Sequence, residues 1–292
     1  MKSFYSRIAS APISWGICEV PGWGKMLPTD RVLSEMNNLG LPATELGAPG
    51  FLPSDANEIS EKLGEFEMSL IGGFTPVVVH DKNQNQETLS QVKKVAELFK
   101  KTGATHLVSS PVYSWGWDAP KPLSADEYKN MFSMFSQIDK ICEDHGLTNV
   151  LHPHLQTTVE SKDEIERVLD GCDVKWCLDT GHMAIGGVDI VEFAKNAADR
   201  VGHVHLKDVD LSKAAPVLAR KESIMAGVQK GLFTPLGSGD VPIAQVINVL
   251  ESAGYQGWYV IEQDCAITGE LPAEGAGPAL MMNKSMDYLK SL

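Results

Sequence analysis

"CLDTGH", residues 177–182, closes an apolar run and opens onto a short turn. A parallel strand covered on both faces reads as a near-continuous apolar run, and "VKWC" (174–177) followed by Leu178 has that form. Asp179 therefore falls where a buried strand leaves its sheet, with His182 three residues further on. A carboxylate in that place must be paired, hydrogen-bonded or bound to a metal, because an unpaired buried charge is too costly. Which of these applies depends on what the rest of the chain places beside it.

Outward from this strand, short apolar segments and helical patterns alternate along the whole chain. "IASAPISWG" (8–16) precedes "DRVLSEMNNLG" (30–40), in which Asp30 is the expected N-cap and Gly40 the C-terminal stop. "ATELG" (43–47) precedes a helical pattern at 55–66, and "MSLIGGFTPVV" (68–78) one at 86–103. "THLVSSPVY" (105–113) precedes 124–146, and "TNVLHPHL" (148–155) precedes 161–171, which opens with a Ser-x-x-Glu capping box. After "VKWCLDTGH" (174–182) come a helix at 189–200, "VGHVHLKD" (201–208), a long loop, and a helix at 242–254. "GWYVIEQD" (257–264) and a helix at 278–292 close the series. Eight strand–helix units with no linker or composition break predict one α/β domain over residues 1–292, a closed (β/α)8 barrel. An open doubly wound sheet would announce a Gly-rich phosphate loop after its first strand, and "APISWGICEV" is not one.

Composition narrows the function. At 43% hydrophobic and 22% charged residues the chain reads as an ordinary soluble globular protein. No apolar run nears the ~18–20 residues of a membrane span, and no charged-then-apolar leader opens the sequence, so a cytoplasmic protein without a membrane partner is expected. Five cysteines (18, 142, 172, 177, 265) in no zinc-finger spacing read as buried or free thiols. A net charge of −13 disfavours a nucleic-acid partner, which would need Lys and Arg for the phosphates. A small neutral substrate, or one held by a metal, fits better. A homo-oligomer is left open.

In such barrels the active site lies at the C-terminal ends of the strands. Those ends carry Glu45, His152 with His154, Asp179 with His182, then His203, His205, Lys207 and Asp208, and finally Glu262 with Asp264. Five of the eight histidines fall in these windows. A lone strand-end His or Asp more often caps a loop or makes a buried ion pair. His205, Asp179 and Glu262 nonetheless sit near the mouths of three adjacent strands, and imidazole with two carboxylates suits Mn²⁺, Co²⁺ or Zn²⁺. His154 and His203 read equally as core or supporting histidines. Trp15, Trp115 and Trp117 lie at or beyond strand ends and read either as ordinary barrel filling or as walls of a sugar-sized pocket, the latter being the preferred reading.

"CLDTGH", "VGHVHLKD" and "GWYVIEQD" resemble the xylose isomerase-like TIM barrels, a family of sugar isomerases, epimerases and dehydratases. Within it, "APISWG", "ATELGAPGFLP", "LHPHLQTTV", "HVHLKD" and the loop "QKGLFTPLGSGDVP" are most similar to the inosose dehydratases. The resemblance implies metal ligands at His152, Asp179, His205 and Glu262, holding Mn²⁺ or Co²⁺, with Zn²⁺ or Mg²⁺ as alternatives. It implies a substrate-facing His182, and a substrate site formed with Trp15, His154 and Lys207. Two departures stand out. Isomerases and epimerases of this family carry a metal-binding Glu where this chain has His152, and "IEQDCAITG" after the last strand is shorter than the acidic run of typical inosose dehydratases.

The implied reaction is loss of water from a small polyhydroxylated ketone, 2-keto-myo-inositol, in inositol catabolism. The metal polarises the ketone, a base removes the α-proton, and an acid protonates the departing hydroxyl. Glu262 is the expected base and His182 the acid or carbonyl-orienting donor, with Lys207 and Glu45 as candidates for hydroxyl recognition or the opposite proton transfer. The alternatives are a keto-sugar or inosose isomerase or epimerase, which His152 opposes, and a non-catalytic carbohydrate-binding barrel.

Overall fold

The computed structural model describes residues 4–292; residues 1–3, which the sequence reading includes in its domain, lie outside the described residues. Seven parallel strands follow in order: β1 (Ile8–Ser10), β2 (Ala43–Glu45), β3 (Ser69–Val77), β4 (His106–Pro111), β5 (Thr148–Leu151), β6 (Lys175–Asp179) and β7 (Val201–Leu206). Two short segments, β8 (Asp208–Val209) and β9 (Phe233–Thr234), pair antiparallel outside the barrel. β10 (Tyr259–Ile261) is the eighth barrel strand, paired with β7 on one side and β1 on the other, which closes the ring. This is the closed (β/α)8 barrel that the alternation of strands and helices predicts. No helix among the described residues is long and apolar enough to cross a membrane.

Local sequence explains where the helices start and which face they bury. Asp55 accepts hydrogen bonds from Asn57 and Glu58, and Ser124 forms a reciprocal box with Glu127. Glu164 Oε2 accepts from the Ser161 amide at 2.8 Å. Each such cap contributes about 1 kcal/mol by occupying otherwise orphaned amides. The helix Asn85–Thr102 buries Thr88, Val92, Ala96 and Phe99, a stripe at helical spacing turned to the barrel. Asp30 is not the cap expected of it: the helix begins at Thr29 after Pro28, and Asp30 lies in its first turn.

The strands are shorter than the apolar runs that announce them, because the chain turns into loops as soon as it reaches the mouth. After β6 the turn is abrupt. Asp179 Oδ1 accepts the amides of Gly181 at 2.9 Å and His182 at 2.7 Å, so residues 180–182 enter the helix Thr180–Ile185 instead of extending the strand. Gly181 is needed there, since a Cβ would stand 2.6 Å from Lys207 Cγ.

Asp208 performs a comparable task for the long loop after β7. Its carboxylate collects the amides of Val209, Gly237, Gly239 and Val241 at 2.8–3.1 Å, which folds the "PLGSGDV" stretch beneath the β8–β9 ribbon. Asp208 is thus a loop organiser. All five cysteines are free, and burial pushes the Cys177 thiol up to about 12.

Candidate active site and metal centre

Four strand ends bring His152, Asp179, His205 and Glu262 together: one ligand atom from each lies within 4.8 Å of all the others. Asp179 divides its labour. Oδ1 caps the short helix, while Oδ2 lies 3.1 Å from His152 Nε2 and 3.7 Å from His205 Nδ1. His205 Nδ1 and Glu262 Oε2 stand 2.9 Å apart, yet they do not align as donor and acceptor. Both atoms are buried; His205 Nδ1 has no hydrogen-bond partner among the described residues, and Glu262 Oε2 meets only the Lys207 ammonium, at 3.0 Å. Buried polar atoms are nearly always satisfied, so an unpartnered imidazole nitrogen facing two carboxylate oxygens fits a cation between them. Two imidazole nitrogens and two carboxylate oxygens form a donor set suited to a divalent first-row ion.

Lys207 completes the charge balance. Its ammonium is 1% exposed and lies 2.7 Å from Asp264 Oδ1, 3.0 Å from Glu262 Oε2 and 3.7 Å from Asp179 Oδ2. Burial alone would lower its pKa, but Asp264, Glu262 and Asp179 raise it above the ordinary lysine value. Burial would raise Glu262, but His205 and Lys207 outweigh it and bring that carboxyl down to about 2. Asp179 is held well below the usual carboxylate value, since Lys207 and His182 outweigh its burial. Asp264 goes the other way, to about 6: burial outweighs Lys207 beside it, and Glu262 adds repulsion.

His182 Nε2 lies 3.2 Å from Lys207 Nζ. Because an ammonium only donates, Nε2 is the acceptor and the ring proton sits on Nδ1, which is buried with no partner among the described residues. Burial, with His154 and Lys207 nearby, lowers its pKa well below the ordinary histidine value. His154, 4.1 Å from His182 between ring centroids, donates Nδ1–H to the Leu155 carbonyl at 2.7 Å.

Two expected residues occupy other places. Trp15 is completely buried and donates its indole N–H to Glu35 at 2.9 Å, so it offers no surface to a ligand. Glu45 lies across the lumen, where its Oε1 accepts from His203 Nε2 and His205 Nε2, each at 2.9 Å. The exposed aromatic rings at this mouth are Trp117 and Phe74, stacked at 5.9 Å between centroids, with Phe74 also 5.9 Å from the His152 ring. Phe74 escaped the sequence reading because "LIGGFTPVV" is apolar apart from Thr75 and carries no sign of which residue faces the mouth.

The family model for xylose isomerase-like TIM barrels matches residues 19–292, and the chain belongs to that family. Among curated relatives, an inosose dehydratase of Geobacillus kaustophilus is 32% identical over 275 residues, covering 89% of each chain. One of Mesomycoplasma hyopneumoniae (strain 7448) is 30% identical and covers 98% of this chain and 96% of that one. Among solved structures, the IOLI protein with a bound zinc atom superposes with a TM-score of 0.70 at 15% identity, covering 98% of this chain and 97% of that one.

Proposed function

We propose that this barrel is a metal-dependent hydro-lyase that removes water from 2-keto-myo-inositol or a close polyhydroxylated cyclic ketone. The observation that carries the proposal is the convergence of His152, Asp179, His205 and Glu262 on one point, with Lys207 and His182 beside it. Relatives named inosose dehydratase, matching nearly end to end, support the same reading. His152, Asp179, His205 and Glu262 would hold the ion, with Mn²⁺ or Co²⁺ as the proposed metals. Once bound, a divalent ion supplies a Lewis acid for the ketone oxygen, which acidifies the neighbouring C–H.

The remaining work falls to side chains. Glu262 takes the α-proton, and the electron pair of that C–H bond becomes the new C=C bond. The β-hydroxyl departs with its C–O electron pair and leaves as water after taking the Nδ1 proton of His182, while the Lys207 ammonium passes a proton to Nε2 so that the ring stays neutral. Elimination next to a carbon that already bears a hydroxyl yields an enol, which rearranges to a cyclic diketone. Between turnovers Lys207 is protonated, fixes the His182 tautomer through Nε2 and holds Glu262 ionised, and the proton it relays is regained when Glu262 gives up the one taken from the substrate. The substitution of His152 for the carboxylate of a two-base epimerase leaves one carboxylate base, which favours elimination over epimerisation.

The test is product analysis. Metal-stripped protein reloaded with Mn²⁺ or Co²⁺ should convert inosose to a product lighter by one water and trappable as a 1,2-diketone. An isomer of unchanged mass would establish an epimerase or isomerase instead, and full activity after chelation would remove the metal from the reading.

A further inference from the structure

We propose that Glu45 is a positioning residue that reaches across the barrel lumen to fix His205 as an Nδ1 ligand, with the Nε2 proton held on the carboxylate. The proposal rests on the metal-centre reading above and extends it to a residue outside the ligand set.

β2 and β7 are not neighbours; β1 and β10 separate them in the ring. Glu45, at the last position of β2 and 2% exposed, bridges that gap. Its Oε1 receives two hydrogen bonds of 2.9 Å, from Nε2 of His203 and Nε2 of His205. Those histidines are i and i+2 on β7 and face the same side, so one oxygen can serve both. A carboxylate only accepts, so each Nε2 must carry hydrogen. The consequence for His205 is specific: with Nε2 committed to Glu45, Nδ1 is the sole nitrogen left to give a lone pair, and Nδ1 is the atom that faces Asp179 Oδ2 and Glu262 Oε2.

Two other roles for Glu45 fit less well. A general base needs a free lone pair near the substrate, whereas the Glu45 oxygen described here is used twice by imidazole donors beneath the metal ligands. A separate cation among Glu45, His203 and His205 would have to displace both Nε2 protons and break two well-formed bonds. The His203 ring is itself held in place by stacking on His106, with centroids 4.8 Å apart. An ionised carboxylate behind a ligating imidazole orients the ring and raises its basicity, and its loss typically costs 10–100-fold in metal affinity.

The experiment compares wild type with Glu45→Gln, Glu45→Leu and His203→Gln, stripped of metal and titrated with Zn²⁺ against a chromogenic chelator. Zn²⁺-loaded, ¹⁵N-histidine-labelled samples give the ring state of His205, assigned by its loss in His205→Asn. Wild type should show a zinc-bound Nδ1 and a slowly exchanging Nε2–H. Glu45→Leu should weaken Zn²⁺ binding about 10–100-fold and lose that protected Nε2–H. Glu45→Gln, close in shape and able to accept N–H but without the negative charge, should fall between, and it decides the matter if the leucine variant does not fold. His203→Gln keeps a donor for Glu45 and should stay near wild type.

Zn²⁺ affinity within twofold of wild type in Glu45→Gln and Glu45→Leu would overturn the proposal. So would an Nε2-bound zinc in wild type, or weakened binding with the protected Nε2–H intact. Wild type that binds no Zn²⁺ would sink the metal-centre reading itself, and failure to dehydrate inosose would leave this test standing.

Discussion

Lys207 Nζ lies 2.7 Å from Asp264 Oδ1 and 3.0 Å from Glu262 Oε2, so a single buried ammonium holds two carboxylates that would otherwise repel each other. Removing it leaves uncompensated buried charge. Lys207→Met should destabilise the metal-free protein by about 3–5 kcal/mol, the usual cost of breaking one side of a buried ion pair. Denaturant unfolding measures this directly, and a loss below about 1 kcal/mol would show that the carboxylates are neutral or solvated without it.

Asp179 separates capping from ion binding. Asp179→Asn keeps a side-chain oxygen for the Gly181 and His182 amides but removes the negative charge facing His152 and His205. The variant should fold with near-wild-type melting behaviour and lose most of its metal. Asp179→Ala should lose the metal and about 1 kcal/mol more from the missing cap. Metal analysis after gel filtration, paired with thermal melts, checks both halves.

The single-base argument is tested at His152 and Glu262. His152→Glu should retain metal, since carboxylate oxygen binds at distances similar to imidazole nitrogen. Dehydration should nevertheless fall, because added negative charge weakens the Lewis acid. Glu262→Gln should abolish both α-proton exchange and water loss. Deuterium incorporation followed by NMR, alongside product formation, separates the two steps. Wild-type exchange in Glu262→Gln would transfer the base role to another group.

Stability of the metal-free protein should fall as the medium is acidified from pH 7. Burial, with His152 and Lys207 adding to it, brings His154 from 6.5 down to about 3, and His182 is lowered in the same direction. Between pH 6.5 and 3 the unfolded chain therefore binds protons that the fold refuses, so stability is lost with falling pH. Glu262, at about 2 against a usual 4.5, and Asp179 add a further loss below about pH 4.5. Asp264, raised to about 6, opposes this as a single group. His205, raised above 6.5, contributes stability that is present below 6.5 and lost as pH rises through its elevated value. Calorimetric melts from pH 7 to 4 should move steadily downward, and a flat profile would contradict the burial of neutral histidines.

Much of this architecture was legible in the order of residues. The alternation of apolar runs with 3.6-residue stripes, such as Thr88, Val92, Ala96 and Phe99, depends on local periodicity, and periodicity survives in one dimension. The strand ends bearing His152, Asp179, His205 and Glu262 could be named for the same reason, because a barrel places all strand C-termini on one face. What only the tertiary structure decided is which atoms meet. Trp15 lies at a strand end like Trp117, yet it turns to Glu35 and is fully buried, while Trp117 stacks on Phe74 at the mouth. Asp208 and Asp264 follow strands in similar fashion, but the first gathers loop amides and the second pairs with Lys207. Glu45 joins histidines 158 and 160 residues away. Sequence spacing sets the face and the level of a residue in the barrel; the partner across the lumen follows from ring closure, which brings together strands that no local pattern relates.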